Sequence, residues 1–328
     1  MVTRPLRIAV TDPIIAGFAD DLRRTARAHD WRFPAADDAA ARRAALRDAD
    51  VVVCARLAAE DMPADPAARL VHATGAGVDR IEAAAVPEGA ALCNTGHHGD
   101  AIAEHVVMTA LMLRRRALET DAQLRAGVWR TVATAPGTPF HRMLAGDTIG
   151  IVGFGEIGRA VARLARGLGM RVVASRRRPD APLPEGIAPD RVFAQDRLHD
   201  LLAVSDVAVV TVPLDETTRG SIDAAALAAM REDVILINVA RGPVVDEDAL
   251  FDALSAGRIG GAAIDVWWGA PDGERAPASV ARFASLPRTV LTPHFSGHAR
   301  EVFVRRAADI ARNIDLLDAG EALERRVR

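Results

Sequence analysis

Cysteine is nearly absent from this chain: only Cys54 and Cys93 occur among 328 residues, each inside an apolar run. Two buried thiols are expected rather than a disulfide framework or a metal site, and they fit a reducing compartment. Tyrosine is missing altogether, and aromatic residues make up 4% of the chain. Long apolar runs are missing too. The most hydrophobic helical stretch, HVVMTALML at 105–113, is far shorter than the roughly 20 residues of a membrane span. The opening MVTRPLRIAVTDP lacks the apolar core of a signal peptide, so a cytoplasmic protein with no membrane partner is expected. Nor is there a large charge of one sign. A net charge of −3 argues against a nucleic-acid partner, because polyanion binding needs a basic surface.

What is present is a rhythm. Short β-branched runs (LRIAV, DVVVCA at 50–55, LVHAT at 70–74, ALCNT at 91–95) alternate with segments of helical period, among them 14–28 and 58–69. A second series runs from TIGIVGFG at 148 through RVVAS, VAVVTV at 207–212, VILINVA at 234–240 and GAAIDVW at 261–267 to TVLTPH at 289–294. Alternation of this kind predicts βαβ units and parallel sheets whose strands are covered on both faces. The length exceeds what one core usually holds, so two α/β domains are predicted. Between the two series, residues 100–127 read as one long helix with a wide apolar face and Asp100 as its N-cap. That face suits either core packing or a second subunit. Residues 132–147 carry two prolines and two glycines and read as a linker.

Chemistry enters with G-F-G-E-I-G, residues Gly153, Phe154, Gly155, Glu156, Ile157 and Gly158. It follows a strand and opens a helix. Gly153 permits a tight turn, Gly155 lets the backbone approach a pyrophosphate, and Gly158 lets helix and strand pack closely. Amide groups and the helix dipole then hold the anion. An NAD site normally places a carboxylate at the tip of the next strand to bind the adenosine ribose. Here the chain reads Ser175, Arg176, Arg177, Arg178. A guanidinium binds a 2′-phosphate through charge-assisted hydrogen bonds where a carboxylate would repel it. NADPH is therefore the expected coenzyme, with NAD as the alternative.

Taken in series, GAGVDRIE at 75–82, AEHVV at 103–107, GIVGFGEIG, VPLDETTRGSID at 212–223, INVARGPVVDEDAL at 237–250, GAAIDVW and TPHFSG at 292–297 carry a resemblance over nearly the full length. The chain resembles the D-isomer-specific 2-hydroxyacid dehydrogenases, which include glyoxylate/hydroxypyruvate reductases and phosphoglycerate, formate and phosphite dehydrogenases. The resemblance implies a flavodoxin-like substrate domain built from residues 1–100 plus 296–328 and a Rossmann domain from 101–295. It places the active site in the cleft between them and a homodimer contact on the helix near 100–127. Arg241 matches the arginine that binds the substrate carboxylate, and His294 matches the acid/base. Both suit the chemistry, since a planar guanidinium fits a carboxylate and an imidazole donates a proton near neutral pH.

Gly75, Ala76 and Gly77 match the substrate loop, whose small side chains leave backbone amides available to an anion. The resemblance also assigns Val212, Pro213, Thr217, Val239, Ala240, Asp265 and Gly297, together with His294, to the coenzyme. Trp267 and Trp268 follow a strand end, where they serve either as core fillers or, for Trp268, as a substrate platform. His98 is a second candidate substrate contact, and Arg56 a candidate for a further substrate charge.

One group departs from the pattern. In DVWWGAP, Ala270 stands where the family carries the carboxylate that pairs with the histidine, leaving Asp272, Glu274 or no acid in its place. Without one, His294 is expected to lose its imidazolium form at lower pH, favouring carbonyl reduction in mildly acidic conditions. A pH–rate profile that stays flat well above neutrality would contradict that. Reduction of a small 2-keto acid is the expected activity. The alternatives are oxidation of a phosphorus oxyanion, for which His98 and Arg56 add positive charge, and a nucleotide-sensing binding protein without turnover.

Overall fold

A computed structural model describes residues 4–183 and 187–328. The chain forms two compact units, Met1–His97 with His298–Arg328, and His98–Gly297. The first contains β1 (Arg7–Val10), β2 (Asp30–Arg32), β3 (Val51–Cys54), β4 (Leu70–Ala73) and β5 (Ala91–Cys93). All pair in parallel, in the order β2-β1-β3-β4-β5. Period-two alternation divides the side chains between faces. Ala9, Val52 and Val71 pack with Leu46 on one side, while Ile8, Val10, Val51, Val53 and Leu70 pack with Phe303, Ile310 and Ile314 on the other. The second group includes the helix Arg300–Ala319, so a segment from the distal end of the chain completes a core begun by the first fifty residues. Each fully buried Ile or Leu in it contributes about 1.5–3 kcal/mol. The last residues cover the outer side of β5, where Val327 N–H donates to Leu92 O at 2.7 Å and Leu92 N–H donates to Arg328 O at 2.9 Å.

Local readings of this unit need correction. The segment 14–28 yields two short helices, Pro13–Ala16 and Ala19–Leu22, interrupted at Gly17. The segment 58–69 yields only a 3-10 turn, Ala59–Asp61, because Pro63 and Pro66 each remove a backbone donor. One helix of this unit that periodicity missed is Ala39–Leu46, capped by the Asp38 side chain accepting from Ala41 N–H at 2.8 Å.

His72 on β4 is fully buried. Its Nδ1 faces Ala73 O at 3.0 Å and its Nε2 faces Asn313 Nδ2 at 2.9 Å, a pattern that a neutral ring satisfies with its proton on Nδ1. Burial pushes the imidazole down to about 4. Between that value and the unfolded value near 6.5, the unfolded chain binds the additional proton and the folded chain does not. Stability from this group is complete above the unfolded value and is lost as pH falls toward about 4, by up to about 3 kcal/mol. Urea titrations across this range should show the decline in the native protein and a shallower one in His72→Gln. Parallel curves would refute the assignment.

The second unit holds β6 (Thr148–Val152), β7 (Arg171–Arg176), β8 (Arg191–Ala194), β9 (Val207–Val210), β10 (Ile235–Asn238), β11 (Gly261–Ile264) and β12 (Thr289–Leu291). They form one parallel sheet in the order β12-β11-β10-β9-β6-β7-β8. The chain builds outward from β6 to β8, then returns to β9 on the other side, so the loop after β6 sits at the topological switch point. Helices Gly99–Arg114 and Glu156–Gly167 cover one face, and residues of helices Leu198–Ala203, Ala224–Ala229, Glu247–Ser255 and Ala278–Ala284 cover the other.

The single long helix predicted over 100–127 is two. Gly99–Arg114 stops, Arg116 adopts φ 51°, and Ala117–Arg125 follows. A left-handed arginine gives no sequence signal, since glycine or asparagine usually marks such a break. Asp100 is not the N-cap either: His98 holds that position, and Asp100 pairs with Arg163 at 2.6 Å. At the other end of this helix Arg114 is buried against Asp147 at 2.7 Å, and Arg142 reaches Asp147 at 2.7 Å and Asp206 at 3.2 Å. Burial, together with neighbouring Asp206, holds the Asp147 carboxyl above the usual range despite both arginines.

Candidate active site

The loop after β6 is shaped by its glycines. Gly153 has φ 94°, and a Cβ on Gly158 would stand 2.4 Å from Gly153 O, so helix Glu156–Gly167 approaches β6 only because that side chain is missing. At Gly155 the space is clear to 4 Å, which leaves the backbone open to a ligand. Ser175 Oγ accepts from Gly153 N–H at 3.3 Å and Thr211 Oγ1 donates to Gly153 O at 2.6 Å, tying the loop to β7 and β9. A cavity of about 360 Å³ opens here. It brings together Gly153, Phe154, Gly155, Ser175, Arg176, Arg177, Arg178, Val212, Pro213 and Thr217, and adds Gln195, Thr218 and Ser221, which sequence reading missed.

Among the described residues no carboxylate lines the cavity. Arg176 Nη1 donates to Ala181 O at 2.7 Å, Arg177 pairs with Asp215 at 3.1 Å, and Arg178, whose carbonyl accepts from Ala181 N–H at 3.3 Å, makes no side-chain hydrogen bond or ion pair among the described residues. These residues fit an adenine dinucleotide: a glycine loop with an open Gly155, a helix start for the pyrophosphate, and cations at the tip of β7. Glu156, Ile157 and Gly158 begin the helix and, with Val239, Ala240, Asp265, His294 and Gly297, lie outside this cavity's lining. A cavity of about 380 Å³ on the first unit, bordered by Asp21, Arg24 and Arg312, contains no predicted site residue.

The turn after β10 carries Arg241. Buried Asn238 braces it, donating from Nδ2 to Arg241 O at 3.0 Å and accepting from Ala240 N–H at 3.1 Å. Arg241 Nη1 donates to Ala240 O at 2.8 Å. The turn after β12 carries His294 at φ 56°, a conformation that costs a non-glycine residue energy and persists only where neighbours enforce it. Asp265 enforces it. Its carboxylate accepts from Thr292 Oγ1 at 2.7 Å, Phe295 N–H at 3.0 Å and Ser296 N–H at 3.1 Å. Burial opposes the charge, but the hydrogen bonds from Ser296 and Thr292 hold this carboxyl below its ordinary value.

Trp267 Nε1 donates to Thr292 O at 2.9 Å, and buried His105, lowered in pKa by desolvation, meets the Phe295 ring edge-on at 5.7 Å. His294 is thus flanked by fixed groups on both sides. Asp265, expected as a coenzyme contact, spends its carboxylate on this clamp. Trp268 stacks on Phe283 at 5.3 Å and donates Nε1 to Val245 O at 2.7 Å. Its N–H is committed inside the unit.

Ala270 is exposed, and Asp272 and Glu274 lie in a tight turn where Asp272 N–H donates to Arg275 O at 3.0 Å around Gly273 at φ 55°. Neither acid's side chain makes a hydrogen bond or ion pair among the described residues. On the first unit, Gly75 O accepts from Thr95 N–H at 3.2 Å and Ala76 O from Asn94 Nδ2 at 2.8 Å. The amides of Gly75, Ala76 and Gly77 have no hydrogen-bond partner among the described residues, as an anion-binding loop requires. Arg56 is exposed on this unit, while His98, in the second, is buried.

Residues 107–296 match the family model described as D-isomer specific 2-hydroxyacid dehydrogenase, NAD binding domain. The chain belongs to this family. It is 37% identical over 286 residues to a glyoxylate reductase of Thermococcus kodakarensis, covering 84% of this chain and 82% of that protein. A glycerate dehydrogenase of Methylorubrum extorquens is 33% identical over 263 residues, covering 78% of each. The solved structure of TT0316 protein from Thermus thermophilus superposes with a TM-score of 0.77 at 28% identity, covering 98% of this chain and 100% of that one. This 2-hydroxyacid dehydrogenase is accordingly a nicotinamide-dinucleotide-dependent oxidoreductase acting on a CH–OH group. No helix among the described residues is long and apolar enough to cross a membrane.

Proposed function

We propose that the protein reduces a small 2-keto acid, with glyoxylate and hydroxypyruvate as first candidates, to the D-2-hydroxy acid using NADPH in preference to NADH. The observation that carries the coenzyme preference is the cation-lined tip of β7, with Arg176, Arg177 and Arg178 on the cavity and no carboxylate among its described lining residues. The relatives named glyoxylate reductase and glycerate dehydrogenase support the substrate class. Arg241 binds the substrate carboxylate through its planar guanidinium, assisted by the amides of Gly75, Ala76 and Gly77. His294 holds a proton on its imidazole and delivers it to the keto oxygen as that oxygen gains charge. A bound reduced nicotinamide supplies the hydride.

Steady-state assays with each coenzyme test this reading. A kcat/KM at least about tenfold higher with NADPH is expected, falling toward parity in Arg176→Gln/Arg177→Gln, since a charge-assisted hydrogen bond contributes about 1.5–3 kcal/mol. A native enzyme that prefers NADH would remove the NADPH assignment.

We also infer a homodimer. Leu118 and Leu124 are half exposed, and beyond them Trp129, Phe140 and Met143 are 70%, 85% and 74% exposed. Apolar side chains exposed in such number mark an interaction surface. Light scattering should give twice the chain mass, and Trp129→Ser/Phe140→Ser should give the chain mass; a native monomer would refute the dimer. Cys54 and Cys93 are buried free thiols, pushed up to about 12 and about 11 by desolvation, and they accord with a cytoplasmic location.

A further inference from the structure

The arginines at the tip of β7 are not equivalent, because one already faces a carboxylate. Arg177 Nη2 donates to Asp215 Oδ2 at 3.1 Å, across from the strand tip. Asp215 is fixed by its own loop: Oδ1 accepts from Thr217 N–H at 2.9 Å, Thr217 Oγ1 at 2.7 Å and Thr218 N–H at 3.0 Å. The hydrogen bond from the Thr217 side chain, first among several, holds this carboxyl below its ordinary range. It is therefore a fixed negative charge at neutral pH, with one oxygen left over for Arg177. Thr217 and Thr218 line the coenzyme cavity with Arg177, and Gln195 Nε2 donates to Thr217 Oγ1 at 3.2 Å.

We propose that Asp215 is a specificity-determining residue that competes with the coenzyme's 2′-phosphate for Arg177 and so limits the discrimination between NADPH and NADH. This rests on the NADPH reading above. The sign follows from exposure. The Arg177 and Asp215 side chains are 72% and 36% exposed, and such a pair adds little by holding an arginine in place. A fixed anion beside an incoming phosphate dianion repels it, and the effect weakens with salt.

The test is calorimetric binding of NADPH and NADH to the full-length native protein, Asp215→Asn, Arg177→Gln and the double variant. Asparagine keeps an oxygen for Thr217 and Thr218, so the loop survives. In Asp215→Asn the NADPH dissociation constant should fall roughly three- to tenfold at low salt, with NADH changed less than about twofold. In the Arg177→Gln background the same substitution should have a smaller effect. Unchanged or weaker NADPH binding in Asp215→Asn, or an equal gain for both coenzymes, overturns the proposal. The NADPH reading is judged separately, by the native protein's own NADPH-to-NADH ratio and its loss in Arg177→Gln.

Discussion

Replacing His294 with asparagine is expected to lower kcat for 2-keto acid reduction by roughly 10²- to 10⁴-fold while leaving coenzyme affinity within about twofold. Asparagine is chosen because it tolerates the left-handed backbone that His294 adopts at φ 56°. The clamp from Asp265 to Thr292, Phe295 and Ser296 then stays in place, and the change isolates the proton donor from the shape of its loop. Stopped-flow reduction and fluorescence titration of the coenzyme read the two quantities independently. Retained turnover would mean that the proton comes from another group. A native protein that bound coenzyme and reduced no 2-keto acid would favour the nucleotide-sensing reading instead.

Arg114→Met is expected to destabilise the second unit by about 3–5 kcal/mol, because it strands a buried carboxylate, and to lower its melting temperature by roughly 10 °C. Arg142 remains on Asp147, which places the loss toward the lower end. Burial already holds the Asp147 carboxyl high, and removing a buried cation raises it further, so the deficit should narrow as pH falls and Asp147 takes up a proton. Adding Asp147→Asn should recover most of the loss. Urea unfolding measures both, and a change below about 1 kcal/mol in Arg114→Met would show that the pair contributes little.

Much of the fold is legible locally. Runs such as VVVC, VAVV and ILIN are apolar at every position because both faces of a parallel sheet are covered, and the glycine spacing identifies the loop at the switch point. The strands that escape are the edge strands β2 (DWR) and β8 (RVFA), whose charged and half-exposed residues break the apolar pattern. The motifs that carry Arg241 and His294 set each just after a strand, and the structure places them on the turns after β10 and β12. The groups that hold them are not legible in this way. Asn238 acts on backbone atoms, and the partners of Asp265 lie 27 to 31 positions along the chain. Asp215 looks like an ordinary loop acid until the fold sets it against Arg177.

The strip of chain from Arg326 to Arg328 that covers the outer side of β5 also bears on how the protein behaves at high concentration. A bare strand edge recruits edges from other molecules, and here Leu92 already has its amide and carbonyl engaged by Arg328 and Val327. Trimming those residues would reopen the sheet to sticking and precipitation without touching the catalytic machinery.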